Sequence, residues 1–333
     1  MFLVTLEPSG RSFPCEADET ILDGAFRDGL RLPHGCRTGG CGSCKARIVE
    51  GDVDDSRASQ SALMDFERQQ GMTLLCACMP QSDVTVWVEH LAEEIMPPRY
   101  LDARVTALTE PVAGMVEIEL ALESGFAFVP GQYIELNIPR TEHWRAYSLA
   151  NRAGENLELL VKLFVGGLFS DYLRAAKLKL GDVLTIRGPY GSFTIREHQQ
   201  PILLVAGGSG LAPVLAMLRA LANERCTRTI RVLYGARTSR ELCFLDELRG
   251  YEQSFLDLRF IPVLSEAAAD NDWRGETGMV TEVIGRYADA SFAAYMCGPP
   301  VMIDAALPIL DRLGVSADAI FFDKFLTRAD LTR

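Results

Sequence analysis

The chain has 333 residues, 48% hydrophobic and 23% charged, a composition that fits two or three globular domains and excludes the disordered and fibrous classes. Its net charge of −12 argues against a nucleic-acid partner, whose phosphates need a basic face. Charged residues interrupt every apolar run before it reaches the roughly 20 residues of a membrane span, so no membrane association is expected.

The start, Phe2-Leu3-Val4, is cut short by Glu7 and Pro8 without a basic leader or cleavage site. A cytoplasmic protein is therefore expected, in which the nine cysteines serve as metal ligands, catalytic groups or buried thiols rather than as disulfides. The acidity is uneven. Residues 1–90 hold 8 Lys or Arg against 14 Asp or Glu, with Glu50, Asp52, Asp54 and Asp55 bunched together. Such a run is either a solvated face or a docking surface for a basic partner.

In chain order, Phe2 to Glu7 and Arg11 to Cys15 predict a hairpin around Pro8-Ser9-Gly10, and Thr20 predicts the cap of a helix carrying Ile21, Leu22, Ala25 and Phe26 on one face. Next comes Cys36-Arg-Thr-Gly-Gly-Cys41-Gly-Ser-Cys44, a C-x4-C-x2-C run followed 32 residues later by Cys76. This is plant-type 2Fe-2S spacing. Glycines at 35, 39, 40 and 42 let the loop curl so that backbone N–H groups reach the sulfurs. A zinc site favours paired C-x2-C hairpins, and only one occurs here. The residues alone leave Cys76 and Cys78 as rivals for the fourth ligand. Cys15, Cys226 and Cys243 lie in apolar patterns and read as buried thiols.

Met96-Pro97-Pro98-Arg99 stops any regular element and closes a first domain over 1–95. Short apolar alternations follow, at Ala103 to Leu108, Met115 to Leu120, Gln132 to Ile138, Leu157 to Leu163 and Val183 to Ile186. They predict an antiparallel β-barrel domain over 96–199. After Pro201 the rhythm becomes strand, Gly-rich turn, helix, strand, which predicts an α/β doubly wound parallel-sheet domain over 200–333.

Leu75-Cys76-Ala-Cys-Met-Pro80 resembles the closing motif of plant-type ferredoxins. That resemblance makes Cys76 the fourth ligand beside Cys36, Cys41 and Cys44, and implies an α+β, β-grasp ferredoxin domain. Arg145-Ala-Tyr147-Ser148-Leu149, between barrel strands, resembles the R-x-Y-S signature of the ferredoxin-NADP reductase superfamily. Pro130-Gly131-Gln132-Tyr133 precedes it, and Gly166-Gly167-Leu-Phe-Ser170 and Gly188-Pro189-Tyr190-Gly191-Ser192-Phe193 follow. The chemistry suits these residue types. A guanidinium at Arg145 and the helix start near Gly167 and Ser170 can hold the diphosphate of FAD, Tyr147 can stack on the ring, and Ser148 can hydrogen-bond its reactive nitrogen. Leu149 completes the FAD-contacting run.

Gly207-Gly208-Ser-Gly210-Leu-Ala-Pro213 follows an apolar strand and opens a helix, as a diphosphate-binding turn does, with Pro213 in place of a third glycine. The same superfamily carries this variant together with a turn like Cys297-Gly298-Pro299-Pro300. The resemblance places Cys297 beside the nicotinamide, Gly298 and Pro299 around its ring, Tyr234 among the dinucleotide contacts, and an aromatic, here Phe325, over the flavin. Glu266 follows the strand Phe260 to Leu264, where NADP-using members carry an arginine. A carboxylate there accepts from a ribose hydroxyl and repels a phosphate, so NADH is expected. Arg237 and Arg240 argue the other way.

Taken together, the blocks resemble the reductase components of bacterial aromatic-ring dioxygenases and multicomponent monooxygenases, of the benzoate dioxygenase reductase or phenol hydroxylase reductase type. The resemblance implies a role in aromatic hydrocarbon catabolism, passing electrons from NADH through FAD and a 2Fe-2S cluster to an oxygenase component. A non-oxygenase acceptor such as a deoxysugar dehydratase would use the same motifs.

Overall fold

The computed structural model describes residues 1–59, 62–88, 98–152, 154, 156–267 and 272–326. The chain divides into two compact units. One comprises Met1–Pro97 with Tyr190–Ser192 and Asp323–Arg333, the other Pro98–Pro189 with Phe193–Phe322. Met96 and Pro97 of the expected linker lie outside the described residues, and Arg99 already opens a strand.

In the first unit β1 (Phe2–Glu7) and β2 (Arg11–Cys15) form the predicted hairpin. Val4 and Leu6 alternate inward, as a half-buried strand requires. Helix α1 (Ile21–Arg27) is capped by Thr20, whose hydroxyl accepts from Asp23 N at 3.1 Å, a contact worth about 1 kcal/mol. Strands β3 (Lys45–Glu50) and β4 (Val53–Asp54), helix α2 (Asp65–Gln69), and β5 (Met72–Leu74), β6 (Met79–Pro80) and β7 (Val84–Trp87) follow. The main sheet runs β2-β1-β7-β3-β5, with β1 and β7 parallel, while β4 and β6 form a small ribbon. Ile21, Leu22 and Ala25 are buried in one cluster with Val4, Leu6, Phe13 and Val86. A mixed sheet with one helix across it is the expected β-grasp arrangement.

The second unit begins with β8 (Arg99–Val112), β9 (Met115–Leu122), β10 (Tyr133–Asn137), β11 (Trp144–Ser148), β12 (Leu157–Lys162), helix α3 (Leu168–Arg174) and β13 (Val183–Tyr190). Its antiparallel sheet runs β11-β10-β13-β8-β9-β12, and a Leu149–Leu159 bridge brings the two ends together as a barrel. Alternation on β8 and β9 sends Ala103, Val105, Ile118 and Leu120 inside. The Arg145–Leu149 run, expected between strands, is itself largely strand β11. Its polar and aromatic composition hides a strand that pairs with β10 along its whole length.

Then come β14 (Ile202–Gly207), α4 (Leu211–Asn223), β15 (Ile230–Ala236), α5 (Leu245–Ser254), β16 (Leu258–Leu264), β17 (Glu276–Thr277), α6 (Ile284–Tyr287), β18 (Ala293–Gly298), α7 (Pro300–Arg312) and β19 (Ile320–Lys324). The sheet order is β17-β16-β15-β14-β18-β19. Ile202 to Ala206 are wholly buried, as a strand covered on both faces must be. Helix α4 is buried continuously from Leu211 to Leu218. Its surroundings explain this, because it packs on β14 and β18 from one side and on barrel strand β12 from another.

Candidate functional site

The loop between α1 and β3 gathers three of the predicted cluster ligands, and Cys76 joins them from the turn after β5. Cys41, Cys44 and Cys76 are buried, Cys36 is half-buried, and the Cys44 and Cys76 sulfurs lie 3.2 Å apart. Backbone amides aim at the sulfurs: Cys36 N and Ser43 N at Cys41 (3.3 and 3.5 Å), Thr38 N at Cys36 (3.4 Å), and Gly39 N at Cys76 (3.3 Å). Gly39 and Gly42 have φ of +76° and +82°, and a side chain on Gly39 would stand 2.9 Å from Arg57 O. The glycines are therefore needed for the curl. The neighbouring thiols of Cys41 and Cys76, with the Thr38 amide, hold the Cys36 thiol far below its ordinary range and favour a thiolate. Four gathered cysteines, three of whose sulfurs receive backbone N–H groups, suit thiolate-held iron.

Cys78 differs. It is wholly buried in the core cluster, and burial pushes its thiol up to about 12. Cys15 is likewise pushed up to about 12 by burial, whereas Cys226 is only half-buried. Sequence reasoning missed His34, two residues before Cys36. It is buried, its Nδ1 lies 2.9 Å from Leu32 O, and its Nε2 accepts from Gly191 N at 2.8 Å. Its backbone exchanges hydrogen bonds with Ser192, and Arg37 lies over the Tyr190 ring at 4.5 Å. Tyr190-Gly191-Ser192 thus pack with the cysteine loop.

In the second unit Arg145 and Tyr147 alternate along β11 on one half-buried face, and Ser148 is buried at the strand's end opposite Tyr133. Burial lifts the Tyr147 phenol above its ordinary range. Its ring meets Phe169 at 5.7 Å. Arg145 donates to Trp144 O at 2.8 Å. Gly167 is the cap residue of α3 and makes no side-chain bond there, while the buried Ser170 hydroxyl accepts from Phe164 N at 3.0 Å and fixes the turn. Leu149, expected to complete the FAD-contacting run, has its side chain wholly buried in the barrel core.

At the carboxyl ends of β14 and β18 the two remaining motifs meet. Gly208 has φ of +58° in a short 3₁₀ turn that runs into α4, with Pro213 buried in its first helical turn. A side chain on Gly210 would overlap Cys297 O and stand 2.5 Å from the Cys297 carbonyl carbon and 2.9 Å from Gly298 N. On Gly207 it would stand 2.7 Å from Met302 Sδ and 3.2 Å from Pro299 Cδ. The Cys297 thiol, expected beside the nicotinamide, is wholly covered, and its carbonyl is what lies against Gly210. Lys162, at the end of β12, was not singled out from sequence. Its Nζ is 3.4 Å from where a side chain on Gly208 would begin.

Tyr234, expected among the dinucleotide contacts, is wholly buried, with its hydroxyl 3.4 Å from Cys243 Sγ. Glu266 is exposed, and its N–H donates to Arg237 O at 2.8 Å, beside the ends of β15 and β16. Arg237 is paired with Glu241 at 2.8 Å. Phe325 follows β19, is half-buried, and groups with the first unit. Its neighbour Phe321 is committed elsewhere, stacked on buried Tyr295 at 4.8 Å with Arg196 over its face at 5.2 Å.

No helix among the described residues is long and apolar enough to cross a membrane. Three family models match in succession: a 2Fe-2S iron-sulfur cluster binding domain at residues 4–81, an oxidoreductase FAD-binding domain at 113–195 and an oxidoreductase NAD-binding domain at 204–307. The chain is 37% identical over 337 residues to the reductase component of propane 2-monooxygenase from Mycolicibacterium smegmatis, covering 97% of this chain and 96% of that one. It is 32% identical over 321 residues to the anthranilate 1,2-dioxygenase electron transfer component of Acinetobacter baylyi, covering 93% and 92%. Among solved structures, the Amycolatopsis cytochrome P450 reductase GcoB superposes with a TM-score of 0.83 at 30% identity, over 98% of this chain and 99% of that one. With the cysteine loop, the barrel and the switch-point turns in this order, the chain belongs to the family of iron–sulfur flavoprotein reductase components of bacterial oxygenases, electron-transfer oxidoreductases that use NADH, FAD and a 2Fe-2S cluster.

Proposed function

We propose that this chain takes a hydride from NADH at the carboxyl end of its parallel sheet and delivers electrons one at a time to the hydroxylase of a multicomponent monooxygenase. The supporting observation is the meeting of Gly210 with Cys297–Gly298 without room for a side chain. It lies between β14 and β18, where strand order reverses, and open α/β sheets bind nucleotides at such a switch point. The greater identity to the propane 2-monooxygenase reductase than to the dioxygenase component supports a monooxygenase partner. An aromatic substrate of that partner rests on the likeness to the anthranilate component.

Bound flavin accepts hydride and releases electrons singly, and the cluster carries one at a time. The chain's own task is to hold and orient. Arg145 with the Gly167–Ser170 turn holds the FAD diphosphate, Tyr147 stacks on the ring, and Ser148 hydrogen-bonds its nitrogen. Gly207, Gly208, Gly210 and Pro213 shape the dinucleotide turn, to which Lys162 adds a positive charge. Gly298 and Pro299 line the nicotinamide pocket with Cys297 as its buried floor, and Glu266 takes the ribose. Cys36, Cys41, Cys44 and Cys76 hold the cluster. We divide the chain functionally at about residues 95 and 199 and read it as a cytoplasmic protein, a compartment that keeps thiols available as cluster ligands.

Anaerobic titration of the purified protein with NADH tests the reading. Flavin and thiolate-to-iron absorption should both bleach, and cytochrome c should then be reduced. A colourless protein, or one whose flavin bleaches without any electron reaching cytochrome c, refutes it.

A further inference from the structure

Helix α4 touches the barrel at three places. At its start, the turn around Gly208 lies beside Lys162. Midway, Met217 Cε stands 2.6 Å from where a side chain on Gly131 would begin. At the far end, Arg219 donates to Ala150 O at 3.0 Å and to Glu158, and its other nitrogens grip Glu247 of α5 at 2.8 and 2.9 Å. Tyr251 also donates to Glu247, at 2.8 Å.

Glu158 and Lys162 are four residues apart on β12, a rise of about 13 Å. Leu211 and Arg219 are eight residues apart on α4, about 12 Å. The strand and the helix therefore run alongside each other for the same length, with Lys162 beside the glycine turn at one end and Arg219 bonded to Glu158 at the other. Ala150 lies two residues beyond Ser148, and Leu211 directly follows the glycine turn. One guanidinium, mostly shielded from solvent with its side chain 18% exposed, thus links the segment leaving the flavin strand to the helix leading from the dinucleotide turn. A planar fork with five donors serves four acceptor oxygens on three residues at once, more than a lysine's three donors can.

We propose that Arg219 is a positioning residue, setting the separation and tilt between the flavin-facing end of β11 and the dinucleotide turn at the head of α4. This rests on the cofactor assignment above. Hydride transfer needs the two rings in near-contact, and a displacement of about 1 Å can cost up to about two decades in rate. Arg219 touches neither ring in this scheme and acts through the backbone at Ala150 and through the helix.

The test uses the full chain with FAD bound, comparing Arg219→Gln with the triple variant Glu158→Gln/Arg219→Met/Glu247→Gln, which removes the carboxylates left unpaired by the first. FAD content per chain, melting temperature, NADH affinity, the long-wavelength charge-transfer band between NADH and flavin, and the rate of flavin bleaching are measured. Arg219→Gln should keep its FAD and bind NADH within about threefold of wild type, yet lose the band and bleach about tenfold more slowly. The triple variant should recover thermal stability without recovering the band or the rate. If either variant, folded and holding FAD, shows the wild-type band and rate, or if the triple recovers both together with stability, the residue only balances charge and the proposal falls. A wild-type chain that NADH does not bleach overturns the cofactor assignment instead.

Discussion

Replacing Gly210 with Ala isolates one physical term. Its backbone, at φ −60° and ψ −8°, is already right-handed, so alanine imposes no dihedral strain, and at the cap of α4 it gains none of the helix propensity of an interior site. Against this, the new methyl would overlap Cys297 O and stand 2.9 Å from Gly298 N. Both obstacles are backbone, and β18, which carries them, is buried throughout. Overpacking of that kind costs about 1 to 3 kcal/mol, and the strain is relieved by lifting the turn away from the Cys-Gly-Pro-Pro segment. The KM for NADH in ferricyanide reduction should therefore rise about tenfold or more, since 1.4 kcal/mol is one decade, while FAD content stays at the wild-type level. Gly207→Ala makes the comparison. Its methyl meets the thioether of Met302 at 2.7 Å, a flexible side chain that can turn aside, so its KM should rise less. A Gly210→Ala protein with full FAD and a KM within twofold of wild type, or a reversed order of the two variants, would refute the close-approach argument.

Cys41→Ser should remove or cripple the cluster and spare the flavin, because barrel and cysteine loop lie in different units; ferricyanide reduction should survive while cytochrome c reduction falls, and an equal fall in both with FAD retained would count against the electron path. Cys78→Ala should keep the paramagnetic signal of the reduced cluster, since that thiol is wholly in the core, and loss of the signal with Cys76→Ala harmless would exchange the two ligands. Glu266→Arg should move the ratio of kcat/KM for NADH over NADPH by about two decades toward NADPH, a shift of a few kcal/mol in charge contacts; an unchanged ratio removes Glu266 from cofactor selection.

Spacing and periodicity carried the parts of the fold where one physical requirement dominates. The cysteine run was legible because ligand geometry fixes spacing, and β14 because a strand covered on both faces must be apolar throughout. Strand β11 was not legible, since Trp144-Arg-Ala-Tyr-Ser alternates nothing that marks a core face. Its identity lies in pairing with β10, residues away in sequence. The inward direction of Tyr234, onto Cys243, was likewise not legible, because the resemblance gave its place at the end of the strand and not the face it takes. Arg219 and His34 left no signal, because each matters through partners far away in sequence, Glu158 and Gly191.

The residues gathered at the two turns of the second unit share a trait that bears on mechanism. Glycines, a buried thiol, prolines and a single lysine offer no nucleophile paired with a base, and hydride transfer between bound cofactors requires none. What it requires is constant geometry. The sequence meets that need with absent side chains where two backbones must touch, at Gly210 and Gly131, and with one many-toothed side chain where barrel and helix must not slide, at Arg219. Sensitivity to substitution should therefore follow backbone proximity more closely than chemical character. A methyl group added at Gly131, which would overlap Phe193 O at φ +103°, is expected to disturb the site more than removal of the exposed Arg237 charge.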